Sequence, residues 1–282
     1  MSAQPVAPEA TPARRGHWAL LLLVGVVGGV FSGLFGVGGG TIIVPLLIIV
    51  AGMGQRQASA TSLAAIVPTA IAGCASYLAG GRVDLAAGLF LAIGGIVGSY
   101  LGALLLRRIR LDWLRWLFIL LLVIAAVDII VDTPTDAAVG VALTLWTALA
   151  LIGVGLIMGI ASGLFGIGGG IVAVPSLIAL FGVGVLAAKG TSLLAMVPTA
   201  LSGTVANWRG GLVDLRAALI VGLAATASSF AGVALAFWLP TLVATWLFVA
   251  LMAYVIVELV LRALRDGRAD RARRVEDARR SG

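Results

Sequence analysis

The sequence predicts an all-α multispanning membrane protein built from two inverted-topology repeats. About 8–10 transmembrane or half-membrane helices are expected, some of them broken by glycine. Three observations carry this expectation. The first is composition: of 282 residues, 61% are hydrophobic and only 11% are charged, where a soluble domain carries roughly 25% charged residues. So few charges cannot cover a water-facing surface, which excludes a soluble enzyme, a disulfide scaffold, a disordered chain and a nucleic-acid-binding domain. The second is a duplication. Residues 33–85 and 163–215 align without a gap at an offset of 130, with 28 of 53 positions identical. The third is that equivalent loops of the two copies carry opposite charge character.

The elements follow in order. Residues 1–17 are polar and Pro/Ala-rich and are expected to form a cytoplasmic N-terminal segment. They are not read as a cleaved leader, because the next apolar run leads directly into a motif that recurs later. The first repeat, 18–135, holds apolar segments at roughly 18–35, 41–52, 58–79, 84–106 and 112–131. The second, 136–261, holds them at roughly 141–165, 171–182, 188–208, 215–238 and 241–261. Most can cross a hydrocarbon core, which takes about 20 helical residues. The second segment of each copy, about a dozen residues, cannot. Residues 262–282 form a basic tail: eight of the 18 arginines and four acidic residues lie there, so it supplies +4 of the net +7. Such a tail beside a span is expected to face the cytoplasm and touch anionic headgroups rather than nucleic acid.

Loop charges set the topology. The loop after 106 carries Arg107, Arg108, Arg110 and Arg115, whereas its counterpart near 237–246 carries no charge. The loop after 131 holds Asp132 and Asp136, whereas its counterpart is the Arg-rich tail. Equivalent loops therefore belong on opposite sides, and each copy crosses an odd number of times, with both termini cytoplasmic. Arg82 falls on the wrong side of this scheme.

Between the first and second segments of each copy stand Gly36-Val-Gly-Gly-Gly40 and Gly166-Ile-Gly-Gly-Gly170. Each glycine costs about 1 kcal/mol in a helix interior relative to Ala, so these runs should open the backbone. Open backbone at membrane depth is tolerated only inside protein or beside a wet cavity. A short helix is expected to start at Thr41 and at Ile171, with free N–H groups and the positive end of its dipole. Gly38, Gly39, Gly40, Thr41, Gly168, Gly169, Gly170 and Ile171 are thus candidate anion-binding residues. The competing reading is close helix packing, to which Gly29 and Gly33 are assigned. The breaks lack the Gly-Lys-Ser/Thr ending of a phosphate-binding loop.

Other polar residues admit two readings each. Thr61-Ser62 and Thr191-Ser192 can hydrogen-bond an oxyanion or cap and back-bond a helix. Pro68 and Pro198 fall mid-segment and should kink it, shaping a cavity or a hinge. Asp128 and Glu258 occupy equivalent positions near the ends of their segments, where proton coupling competes with snorkelling. Lys189, the only lysine, and Arg56 lie in matching regions and either draw anions to a vestibule or mark topology. Asn207, Trp208 and Arg209 end a segment, with Tyr77 in place of Asn207 in the first copy; a Trp or Tyr there reads as an interfacial anchor. Asp84 and Asp214 read as N-caps. Cys74, the only cysteine, reads as a small buried hydrophobe. No metal-ligand cluster or cofactor motif is seen.

The doubled Gly-Leu-Phe-Gly-Val/Ile-Gly-Gly-Gly motif with Pro45 and Pro175 resembles that of the TauE/SafE family, also called the sulfite exporter or TSUP family. The Thr-Ser, Val-Pro-Thr-Ala and Gly-Gly-x-Val-Asp blocks add to the likeness, which runs over roughly 18–262. The resemblance implies transport of sulfur-containing anions such as sulfite, sulfoacetate and other organosulfonates.

The expected function is a secondary transporter of small oxyanions, of export direction, in a bacterial inner membrane, with two inverted halves rocking in alternating access. A passive anion channel is the alternative. An intramembrane enzyme is disfavoured: Ser32 and Ser162 look superficially like nucleophiles, but the only histidine, His17, lies at the membrane edge and no base is in sequence reach.

Overall fold

A computed structural model describes residues 18–106, 120, 123, 139–240, 242–254, 256, 257, 260 and 261. The described elements are helices: α1 (Trp18–Phe35), α2 (Gly40–Ala51), α3 (Gln55–Ala79), α4 (Leu85–Leu105), α5 (Leu145–Phe165), α6 (Gly170–Phe181), α7 (Val185–Arg209) and α8 (Leu215–Trp238). A further short helix, α9, covers Leu242–Tyr254. Six helices, α1, α3, α4, α5, α7 and α8, are long and apolar enough to cross a membrane; α2, α6 and α9 are shorter apolar helices. Asp128, Glu258 and the arginines of the 107–115 loop and of the tail lie outside the described residues.

The two copies fold alike, element by element. The short helices begin at Gly40 and Gly170, one residue before the expected Thr41 and Ile171. Each is 12 residues long and ends on a left-handed glycine, Gly52 or Gly182. Each long third helix runs 25 residues and continues past Pro68 or Pro198 as one helix. One residue on, the Thr69 and Thr199 hydroxyls donate back to the carbonyls of Ala65 and Ala195, at 2.9 and 2.7 Å. This back-bonding occupies the hydroxyls locally in the turn that the proline has deprived of an N–H donor. Asp84 and Asp214 cap α4 and α8 as read, accepting from the N–H groups of Ala87 and Ala217.

Glycine faces bring the long helices together, and the pairs join one repeat to the other. Gly25 lies on Val221 and Ala224, Gly29 on Ala225 and Ser228, and Gly33 on Ser229 and Val233. Residue numbers rise together, so α1 and α8 run parallel. The same contact recurs between α4 and α5: Gly155 lies on Leu91, Gly159 on Gly95 and Ser99, and Gly163 on Ser99 and Ala103. A Cβ at any of these six positions would meet the facing backbone or a side chain, which is how small residues let membrane helices approach. The packing reading of Gly29 and Gly33 therefore holds.

The central pair, α3 and α7, runs the other way. Gly73 lies on Leu193 and Gly203 on Leu63, so one numbering rises as the other falls. These are equivalent helices, and they are antiparallel. The chain also returns to the bundle far from where it left. The Val141 N–H donates to the Asp84 carboxylate at 2.7 Å, beside the start of α4. Leu105 ends α4 21 residues later, about 31 Å away at 1.5 Å per residue.

Candidate functional site

The two glycine breaks meet in the interior between the N-terminal halves of α3 and α7. Each ends its preceding helix in the same way: the N–H of Gly36 donates to the Ser32 carbonyl and that of Gly166 to the Ser162 carbonyl, both at 2.8 Å. Three glycines per break then take positive φ: Gly36, Gly38 and Gly39 at 67°, 84° and 70°, and Gly166, Gly168 and Gly169 at 68°, 87° and 87°. A residue with a Cβ is strained in that region. Gly39 and Gly169 are the N-caps of α2 and α6, and they offer no side chain to the first N–H groups. Both breaks are wholly buried, Gly36–Gly40 and Gly166–Gly170 alike.

Each break is braced by the opposite repeat. The Ser62 hydroxyl donates to the Gly166 carbonyl at 2.9 Å, and the Ser192 hydroxyl to the Gly36 carbonyl at 3.1 Å. Gly40 packs on Gly166 and Ile167, and Gly170 on Gly36 and Val37. One residue before each serine, Thr191 Oγ1 accepts from the Asp84 N–H at 2.9 Å and Thr61 Oγ1 from the Asp214 N–H at 3.1 Å. The Thr-Ser pairs therefore tie the repeats together through backbone groups, a role that neither the capping nor the oxyanion reading anticipated. Gly38 and Gly168 both face the side chains of Ile66 and Met196, themselves equivalent residues. Those two side chains fill the space between the breaks, and Met196 Sδ lies 3.8 Å from the Ser192 hydroxyl.

The remaining candidates separate. Lys189 is completely buried in the first turns of α7. Its backbone lies on Gly36, and its ammonium sits 6.0 Å from the Phe35 ring centroid, a cation–π contact at the end of α1. Its counterpart Ser59 lies on Gly166. Arg56 is exposed in the first turn of α3 and does not join it. Asn207 is fully buried, and its amide has no hydrogen-bond partner among the described residues. Trp208 and Arg209 are exposed, as an interfacial end requires. Tyr77 corrects the anchor reading: it is completely buried, its hydroxyl donating to the Gly33 carbonyl at 2.8 Å. A tyrosine near a segment end reads as a belt residue, and only the packing of α1 against α3 shows otherwise. Cys74 is buried, as expected.

This arrangement places two helix starts, with no side-chain cap on their first N–H groups, in a buried interior held by reciprocal bonds. Chemically it can attract negative charge without a buried cation.

Comparison with known proteins bears on this chemistry. A family model described as "Sulfite exporter TauE/SafE" matches residues 2–129 and 151–281. The chain is 29% identical over 198 residues to "Probable membrane transporter protein YdhB" of Bacillus subtilis (strain 168), covering 69% of this chain and 80% of that one. It is 31% identical over 212 residues to a "Probable membrane transporter protein" of Xylella fastidiosa (strain 9a5c), covering 72% and 80%. It is 29% identical over 229 residues to "Probable membrane transporter protein MJ0441" of Methanocaldococcus jannaschii, covering 76% and 84%. No solved structure matches significantly. With six helices able to span, two matching repeats and a family model covering nearly the whole chain, this multi-pass membrane protein belongs to the sulfite exporter TauE/SafE family of membrane transporters.

Proposed function

We propose that the protein is a secondary transporter that exports small anions across the inner membrane of a bacterium. Its substrates are sulfur oxyanions or organosulfonates such as sulfite or sulfoacetate. The observation that carries this reading is the pair of buried glycine breaks at the starts of α2 and α6, each braced by a serine of the opposite repeat. In this reading Gly38–Thr41 and Gly168–Ile171 present N–H groups to the anion, and Ser62 and Ser192 are the hydroxyls that exchange between carbonyl and substrate.

The two repeats lie inverted in the membrane with both termini cytoplasmic, and they rock about the α3–α7 pair. The antiparallel course of those equivalent helices supports this, as do the distant ends Leu105 and Val141 and the opposite charges of equivalent loops. Asp128 and Glu258 are the coupling carboxylates of this scheme, and the basic tail rests on anionic lipid.

Purified protein in liposomes tests it. Flux of sulfite, sulfoacetate and related anions, changed by a proton gradient and stimulated by a counter-anion inside, is the expected result. Anion flux without counterflow indicates a channel, and a folded protein that moves none of the anions overturns the reading.

A further inference from the structure

The two repeats treat the ends of their first helices differently. In the first repeat the chain itself brings positive hydrogens to the end of α1. The Tyr77 hydroxyl donates to the Gly33 carbonyl at 2.8 Å, and the Lys189 ammonium sits 6.0 Å from the centroid of the Phe35 ring. In the second repeat α5 ends in the same motif, but the residues equivalent to Tyr77 and Lys189 are Asn207 and Ser59. The Asn207 amide and the Ser59 hydroxyl are both buried, and neither has a hydrogen-bond partner among the described residues. The Gly163 carbonyl, counterpart of that of Gly33, therefore receives no bond from Asn207. Ser99 joins these groups. Its carbonyl lies against Gly163, and its hydroxyl lies against Gly203, one turn before Asn207 on α7. That hydroxyl is also fully buried and unpartnered. Its counterpart Ser229 is likewise buried and unpartnered, so the serine is common to both repeats and the difference lies in Asn207 and Ser59. The backbone of Ser59 lies on Gly166, just past the end of α5. Buried polar side chains are almost always paired, so three unpartnered ones around one helix end call for a ligand.

We propose that the end of α5 is a sodium-binding site, formed by the Asn207 amide oxygen, the Ser99 and Ser59 hydroxyls and the Gly163 carbonyl. These are neutral oxygens, the ligand type that hard cations take. The last carbonyls of a helix have no intrahelical partner and carry the negative end of its dipole. Helix C-termini at broken segments are where transporters of this general build hold sodium ions or protons. Length fits as well. Asparagine is shorter than tyrosine by about a ring, so its amide stops short of the carbonyl that the tyrosine reaches in the other repeat. A cation of the size of sodium or calcium keeps oxygens at about 2.3–2.6 Å, so one ion between amide and carbonyl spans that difference. None of the four ligands is charged. A divalent ion would carry its second charge uncompensated inside the membrane, which selects a monovalent one. The first repeat supports the assignment, because an ammonium and a hydroxyl hydrogen, both fixed to the chain, stand where the second repeat presents oxygen. One half carries a permanent positive group and the other takes an exchangeable one. The break Gly166–Gly170 links this helix end to the start of α6. A cation at one side of the break and an anion at the other attract, and each raises the affinity for the other. Only that coupling rests on the anion reading above; the site itself does not.

The test is a sodium chloride titration of the full-length protein in nanodiscs, with ionic strength held constant by choline chloride. Binding of radiolabelled sodium and the melting temperature are the two readouts. Saturable binding and a rise in melting temperature are expected with sodium, and potassium should need at least tenfold higher concentration. Asn207→Ala and Ser99→Ala should each raise the half-saturating sodium concentration tenfold or more. Asn207→Tyr, which copies the first repeat, should abolish the response; if it does not fold, the two alanine variants decide. Tyr77→Phe should melt lower than wild type yet keep the wild-type sodium affinity, which separates loss of a ligand from loss of stability. A folded wild type that binds no sodium, equal responses to sodium, potassium and choline, or sodium affinity unchanged in either alanine variant would overturn the site. Liposome flux separates this proposal from the transport reading. Anion flux by a protein that binds no sodium removes the site and leaves the transporter. Sodium binding without flux of any anion removes the transporter and leaves the site.

Discussion

Ser62 donates its hydroxyl hydrogen to the carbonyl of Gly166, 104 residues away in the other repeat, at 2.9 Å, and Ser192 returns the bond to Gly36 at 3.1 Å. All four residues are buried, so neither carbonyl has water as a substitute. Ser62→Ala and Ser192→Ala should each lower stability by about 1 kcal/mol, the lower part of the range for an orphaned buried acceptor. Membrane hydrogen bonds measured by double-mutant cycles average about 0.6 kcal/mol, which argues for that lower part. Thermal unfolding in detergent measures the loss, and liposome flux should fall in both variants. Stability equal to wild type in both would show that the bonds do not hold the breaks.

The left-handed glycines give a sharper contrast. Gly168 has φ 87° and faces Met196, whereas a Cβ at Gly153, mid-helix in α5, meets nothing within 4 Å. Gly168→Ala should destabilise by about 1 kcal/mol or more, combining backbone strain with displacement of Met196. Gly153→Ala should stabilise by up to about 1 kcal/mol through helix propensity. Opposite signs of the melting shift are the expected outcome. Gly39→Val or Gly169→Val should abolish flux while the protein still inserts.

Met196 and Ile66 fill the space between Gly38 and Gly168. Shortening the longer and more pliable of the two, by Met196→Ala, should open that space. We expect faster flux of bulkier anions and a weaker preference among them in liposomes. Unchanged selectivity would place the route elsewhere.

Tyr77→Phe removes the 2.8 Å bond to the Gly33 carbonyl and keeps the ring, which stacks 5.5 Å from Phe237. The expected loss is about 0.5–1.5 kcal/mol. Tyr77→Ala should cost about 3–5 kcal/mol, as an emptied aromatic site does. The ratio of the two melting shifts separates the hydroxyl from the packing.

Much of this was legible in the sequence. The offset of 130 located both breaks, the two short helices and the paired caps Asp84 and Asp214, because these are local consequences of glycine, proline and aspartate chemistry. The packing role of Gly29 was legible for the same reason. What the sequence concealed are relations across the repeats. Ser62 and Gly166 share no spacing pattern, and a hydroxyl near a helix start looks the same whether it caps, binds an anion or braces a distant carbonyl. Tyr77 was misread because position near a segment end says nothing about which face of α3 meets α1. Lys189 and Arg82 are 107 residues apart in the chain, and only the fold lays Gly190, the residue after Lys189, on the Arg82 carbonyl.

The glycine faces of α1 and α5 have a consequence for assembly. Each is covered by a helix of the other repeat, α8 or α4, and the central α3–α7 pair is likewise formed between repeats. One repeat alone would leave these close-approach surfaces bare. Because both repeats lie in one chain, each half meets its cover at a fixed effective concentration, whatever the concentration of the protein. The halves have diverged within that arrangement: Arg82 of the first repeat is matched by Leu212 in the second, and Lys189 of the second by Ser59 in the first.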